Sequence, residues 1–183
     1  PMDDSSDFVK VKDLEHLYLL IKRLGRNDIR VKTAITGPVT LGFFSATRGV
    51  KYYDSILAFR LYHDLADALK PLMLELLSRG SMVQVDEPSL SQRVLEVGKA
   101  VKLVNLMLEG IPERFLSEGL VSAHVCGALT DNIFKSLLNL NVSTLSFAFG
   151  SRMEEGNIQI LSKEWVERLG KRIGVGCISV QAM

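Results

Sequence analysis

Three short stretches of this chain have residue types and spacing that could do chemistry: Thr36-Gly37-Pro38, Asp86-Glu87-Pro88 and His124-Val125-Cys126-Gly127. The third is the most pointed. His124 and Cys126 stand at i and i+2 at the end of an apolar run, so on a strand their side chains leave the same face. An imidazole and a thiol suit a borderline-soft cation such as zinc, which needs at least three protein ligands in a tetrahedral site. An isolated His-x-Cys pair is more often buried core. Its position at a strand end argues for a site. Asp86 and Glu87 would point to opposite faces, which speaks against a paired-carboxylate mechanism. Val83 and Val85 alternate with Gln84, so Asp86 is the pocket candidate. The competing role for this pair is a carboxylate that caps a helix starting at Leu90. Thr36-Gly37-Pro38 reads as a tight strand exit whose Thr36 and Gly37 could touch a ligand. Cys177, in Gly-Val-Gly-Cys-Ile, reads first as core and second as a metal ligand. His16 and His63 fall on helical patterns and read as surface or packing residues. A Gly-rich phosphate loop and a G-x-S-x-G elbow are both absent from the sequence.

The elements that must position these residues follow from hydrophobic periodicity. Residues 1–12 read as a flexible lead. Asp13 to Leu24 suits a short amphipathic helix, and Ile29 to Ile35 a strand. Pro38 to Lys51 is a loop or short helix exposing Phe43, Phe44 and Arg48. Tyr53 to Ser78 is the longest helical pattern, with Ile56, Phe59, Leu65, Leu69, Leu72 and Leu76 as expected core and Pro71 as a possible kink. Strands are expected at Met82 to Val85, Leu120 to Val125, Thr144 to Phe149 and Ile173 to Val180. Helices are expected at Ser89 to Glu109, at Leu129 to Leu138 capped by Thr130 or Asp131, and at Lys163 to Arg172 around Trp165, with polar loop at Arg152 to Ile160. Strands alternating with helices imply a parallel α/β sheet, and ligands then bind at the strand C-termini. The three motifs should therefore converge. Two architectures fit: an open, flavodoxin-sized sheet, or a slice of a closed barrel.

Composition narrows the function classes. The 183 residues hold 22 basic and 21 acidic side chains, a net charge of +1, which gives no electrostatic reason to expect nucleic acid or an anionic membrane. Apolar runs are too short to span a bilayer. Two cysteines cannot frame a domain of this size with disulfides, and the start is polar, so a reduced, cytoplasmic protein is expected.

At its motifs the chain resembles the catalytic C-terminal domain of cobalamin-independent methionine synthase. Ala34-Ile35-Thr36-Gly37-Pro38-Val39-Thr40 is similar to that family's L-T-G-P-V-T, and Val83-Gln84-Val85-Asp86-Glu87-Pro88-Ser89-Leu90 to its I-Q-I-D-E-P-A-L. Ala123-His124-Val125-Cys126 is similar to its T-H-M-C, and Arg172-Ile173-Gly174-Val175-Gly176 to its I-G-x-G. The motifs keep their order and spacing across residues 30–178.

The resemblance implies a (β/α)₈ TIM barrel, here incomplete, with residues 13–183 supplying about strands three to seven. It implies zinc held by His124 and Cys126, a small-molecule thiol substrate contacted by Asp86, Thr36 and Gly37, and methyl transfer to homocysteine giving methionine. The donor would be a methyl-folate or a methyl-corrinoid, the latter carried by a corrinoid protein. The chain departs from the family in two ways. The position of the family's zinc-binding glutamate falls at Ala148, between Phe147 and Phe149, and the D-C-G motif with a further cysteine is not in the sequence. Two alternatives follow. One is a corrinoid-dependent thiol methyltransferase of the uroporphyrinogen decarboxylase-like group, which His124-Val125-Cys126-Gly127 also resembles. The other is a paralogue that has lost its metal.

Overall fold

The computed structural model describes residues 8–46, 49, 51–161, 167 and 170–178. Arg48, Trp165, Val180 and the first part of the expected lead lie outside the described residues.

Five parallel strands form one sheet: β1 (Lys32–Thr36), β2 (Met82–Asp86), β3 (Val121–Val125), β4 (Thr144–Ala148) and β5 (Arg172–Gly176), in the order β1-β2-β3-β4-β5. Each strand pairs with the next one in sequence. Parallel crossovers are right-handed as a rule, and when each steps in the same direction they bring their helices to one face, as in a barrel wall. A doubly wound open sheet would instead reverse its strand order and cover both faces. The burial pattern agrees. Ile35, Val83, Val85, Ala123, Val125, Leu145 and Phe147 are buried under helices, while the alternating residues on the opposite face are partly or fully exposed. The flavodoxin-like alternative is therefore excluded, and the sheet is an incomplete barrel wall.

The described helices are α1 (Val9–Arg23), α2 (Pro38–Ala46), α3 (Phe59–Ser78), α4 (Val97–Leu108), α5 (Glu113–Ser117), α6 (Asp131–Leu137) and α7 (Asn157–Ile160). Neighbouring helices α2, α3 and α4 pack on one another, as do α4 and α6. None of the described helices is long and apolar enough to cross a membrane.

Several sequence expectations shift. The first helix begins at Val9 rather than Asp13. The expected Tyr53 to Ser78 helix begins only at Phe59 and runs on through Pro71. Its buried stripe is Leu61, Tyr62, Ala66, Met73, Leu76 and Leu77, because the Tyr62 ring turns inward and its hydroxyl donates to Ile56 O at 2.6 Å. Ile56 and Phe59, expected in the core, are exposed. The expected Ser89 to Glu109 helix is a 3₁₀ turn at Pro88–Leu90 followed by α4 from Val97. Arg93 adopts a positive φ of 55°, which interrupts any continuous helix, and the Glu96 carboxylate caps α4 by accepting from Gly98 N and Lys99 N. Thr130 caps α6 as expected. Cys177 is not core: it lies exposed just past β5.

Candidate functional site

The uncovered sheet face carries one unbroken row of ladder partners near the strand C-termini. Thr36 is paired with Asp86, Asp86 with His124, His124 with Ser146, and Ser146 with Gly174. Parity explains the row. Along β2, buried Val83 and Val85 alternate with half-buried Met82, Gln84 and Asp86; along β3, buried Val121, Ala123 and Val125 alternate with half-buried Ser122 and His124. Cys126 follows His124 by two residues and is also half-buried. Of the expected site residues, Thr36, Asp86 and His124 stand in this row, and Cys126 follows it at the strand exit.

Local hydrogen bonds orient these groups. Gln84 Nε2 donates to Asp86 Oδ1 at 2.7 Å, and Lys32 Nζ donates to Gln84 Oε1 at 2.7 Å, so Asp86 ends a polar relay along the open face. His124 Nδ1 lies 3.2 Å from Ser146 Oγ. With the proton on Nδ1, the ring donates to Ser146 and keeps Nε2 as a basic ligand atom. Burial pushes the Cys126 thiol pKa up. A hydrogen bond from its own backbone works against this, and the Glu154 and Asp86 charges add to it. A thiol in a negative field is poorly ionised by itself and is a natural partner for a cation.

Whether these residues suit a zinc ion can be tested on the donor set. His124 and Cys126 offer an imidazole and a thiol of suitable type, and together they fit as two ligands. Among the described residues, no group of three His, Cys, Asp or Glu side chains is arranged to hold a metal ion. Ala148 ends β4 beside Gly176 and contributes no donor.

Glu87 has a role that the sequence reading did not assign. Its parity turns it away from Asp86 and into the helix layer, where it is fully buried. It caps α2, the helix of the preceding βα unit, rather than one starting at Leu90. Glu87 Oε1 accepts from Val39 N at 2.8 Å; Oε2 accepts from Thr40 N at 2.9 Å and from Thr40 Oγ1 at 2.7 Å. The two backbone N–H groups are orphan donors of the first helical turn. Gly37 accepts the first helical bond from Leu41 N and stands at the cap position, but it has no side chain to cap with. A Cβ there would collide with the Glu87 carboxyl, so Gly37 makes room for the cap instead of offering a surface of its own. Burial pushes the Glu87 pKa up to about 7 against the pull of its three donors, with a small upward push from Asp86. The signal in the sequence was Gly37-Pro38. A helix that opens with Pro at its first position and Gly before it must find its cap elsewhere.

The segment after β4, polar loop by its sequence, supplies two further residues. Glu154 Oε1 accepts from Gly127 N at 2.9 Å, and Glu154 Oε2 accepts from Ser151 Oγ at 2.6 Å. Asn157 donates to Gly127 O and Ala148 O, both at 2.9 Å, and accepts from Leu129 N at 2.8 Å.

A sequentially wound wall with polar side chains gathered on its open face near the strand C-termini defines a barrel-type α/β domain. The chain belongs to the family described as cobalamin-independent synthase, catalytic domain, which it matches over residues 10–183. It is 32% identical over 168 residues to the methionine synthase of Methanothermobacter thermautotrophicus, covering 91% of this chain and 50% of that protein. The methionine synthase of Methanocaldococcus jannaschii is 29% identical over 178 residues, 96% of this chain and 52% of that protein. That of Sulfurisphaera tokodaii is 33% identical over 153 residues, 82% and 40%. The chain thus spans about half the length of the first two relatives.

Proposed function

We propose that the protein is a methyltransferase that moves a methyl group to a thiol, with homocysteine as acceptor and methionine as product. The row Thr36–Asp86–His124–Ser146, with Cys126 just beyond it, carries this reading. It gathers the charge, imidazole and thiol that such a substrate needs on one open face. Relatives named methionine synthase support the substrate class.

In this reading His124 and Cys126 hold a zinc ion. When bound, such an ion lowers the pKa of a thiol and keeps it as a nucleophilic thiolate at neutral pH. Asp86, oriented by Gln84, takes the ammonium group of the amino-acid substrate, a charge-assisted contact of roughly 1.5–3 kcal/mol. Thr36 lines the pocket next to Asp86, and Gly37 lets the strand exit turn close over Glu87. Ser146 fixes the His124 ring. The donor is a methyl-folate or a methyl group on a corrinoid protein. The free thiols Cys126 and Cys177 suit a reducing, cytoplasmic setting.

One observation favours a second reading, a paralogue without metal: Ala148 stands where the resemblance calls for a carboxylate, and the described residues offer no third ligand in place. The test is zinc content together with methionine formation from homocysteine, using methyl-folate and methyl-corrinoid donors in parallel on the full-length protein. About one zinc per chain and product from either donor supports methyl transfer. Absence of both supports the paralogue.

A further inference from the structure

The His-x-Cys exit is held from outside its own strand. Gly127, directly after Cys126, has φ +95°, and a Cβ there would meet Ser91 Oγ at 2.6 Å, so the chain must turn sharply at this point. Both backbone polar groups of Gly127 are taken by side chains from one segment some thirty residues later: its N–H by Glu154 and its C=O by Asn157. Asn157 does more than this. It is 2% exposed, and its amide makes three bonds, with both N–H donors on the carbonyls of Gly127 and Ala148 and its oxygen accepting from Leu129 N. One neutral side chain thus ties the exits of β3 and β4 together at the residue that follows Cys126.

We propose that Asn157 is a positioning residue for Cys126: by fixing Gly127, Leu129 and Ala148 together, it sets where the thiol stands relative to His124. This rests on the reading of Cys126 as a metal ligand given above. Asn157 carries no charge, so removing it alters position without altering the field at the thiol.

The test uses Co(II) as a probe in the full chain, read by thiolate-to-cobalt absorption, with wild type, Cys126→Ser, Asn157→Ala and Asn105→Ala. Asn105, more exposed than Asn157, is the control for a bridge remote from the site, and an unfolding titration of each variant separates lost stability from lost Co(II) binding. Asn105 makes the same kind of bridge, donating to Asn139 O and accepting from Asn141 N, but before β4 begins, away from the strand C-termini. The expected result is absorption in wild type that is lost in Cys126→Ser. Asn157→Ala should weaken Co(II) binding about tenfold or more, in the range seen for groups that orient a ligand, while Asn105→Ala should leave it unchanged. If Asn157→Ala does not fold, Asn157→Ser gives the same readout, since it is also neutral and its short hydroxyl cannot span Gly127 O, Ala148 O and Leu129 N. Wild-type affinity in a folded Asn157 variant, or an equal loss in Asn105→Ala, overturns the inference and leaves Cys126 as a ligand. Absence of a Cys126-dependent absorption in wild type overturns the metal reading and this inference with it.

Discussion

Glu87→Gln tests whether burial or hydrogen bonding decides the state of the carboxyl that ties the Thr-Gly-Pro turn to the Asp-Glu-Pro strand end. A protonated Glu87 keeps both oxygens as acceptors for Val39 N, Thr40 N and Thr40 Oγ1. An amide nitrogen cannot accept, so Gln strands at least one donor of the first turn of α2. A buried donor left unpaired costs roughly 1–3 kcal/mol. The wild type brings in a pH term that the variant lacks. Its folded pKa, about 7, lies above the ordinary carboxylate value of 4.5, so the folded protein binds the proton more tightly than the unfolded chain. The stability from this group is fully present below 4.5 and is lost as pH rises through 7, with a ceiling of about 3 kcal/mol.

The variant should therefore cost on the order of 2 kcal/mol at pH 5.5, and the gap should close by about 2 kcal/mol on going to pH 7.5. The assay is urea unfolding followed by far-UV circular dichroism across that range, with a chelator present so that no metal affects the titration. A gap that stays constant or widens as pH rises would refute the reasoning. It would mean that the three donors keep Glu87 ionised in the fold and that its burial does not decide.

Cys126→Ser in the full-length protein should lower zinc content by elemental analysis; equal content in both proteins removes Cys126 from the ligand set. Asp86→Asn should weaken homocysteine binding about tenfold or more by calorimetry, using 1.4 kcal/mol per decade. It should leave zinc bound and should hardly affect a thiol without an amino group, and unchanged homocysteine affinity would reject the amino-acid role. Gly127→Ala places a Cβ at φ +95° against Ser91 and should lower stability by on the order of 1–3 kcal/mol; a melt equal to wild type would show that this turn relaxes. Thr130→Ala removes the side-chain cap of α6 and should cost about 1 kcal/mol in denaturant titration without changing zinc content; loss of zinc would tie that helix to the site.

The wall and its open row were legible because period-2 alternation is a strong, local signal. Gln84 between two valines already put Asp86 on one face, and His124 and Cys126 share parity by spacing alone. Helix starts were less legible. The apolar pattern of residues 89–96 suits a helix, but the positive φ at Arg93 and the Glu96 cap delay α4 to Val97. The Tyr62 stripe was missed because a tyrosine counts as half polar until its hydroxyl finds a backbone partner, here Ile56 O. Asn157 and Glu154 were illegible for another reason: their partners lie across the sheet ends, and sequence spacing carries no trace of which loop docks on which strand exit.

The same alternation gives each motif two duties. In Asp86-Glu87, one carboxylate faces the open side, while the next enters the helix layer and caps α2. In Thr36-Gly37, one residue stands in the row and the next makes room for that cap. In Cys126-Gly127, the thiol is followed by the turn that Asn157 and Glu154 grip. A residue pair at a strand end thus couples a side chain on the open face to a neighbour that fixes the backbone beneath it. The coupling runs across units, since Glu87 of one strand end caps the helix of the unit before it, and Asn157 of a later unit holds the exit of β3. Substitutions at the second member of each pair should therefore be felt at the first, even where the second never meets a ligand.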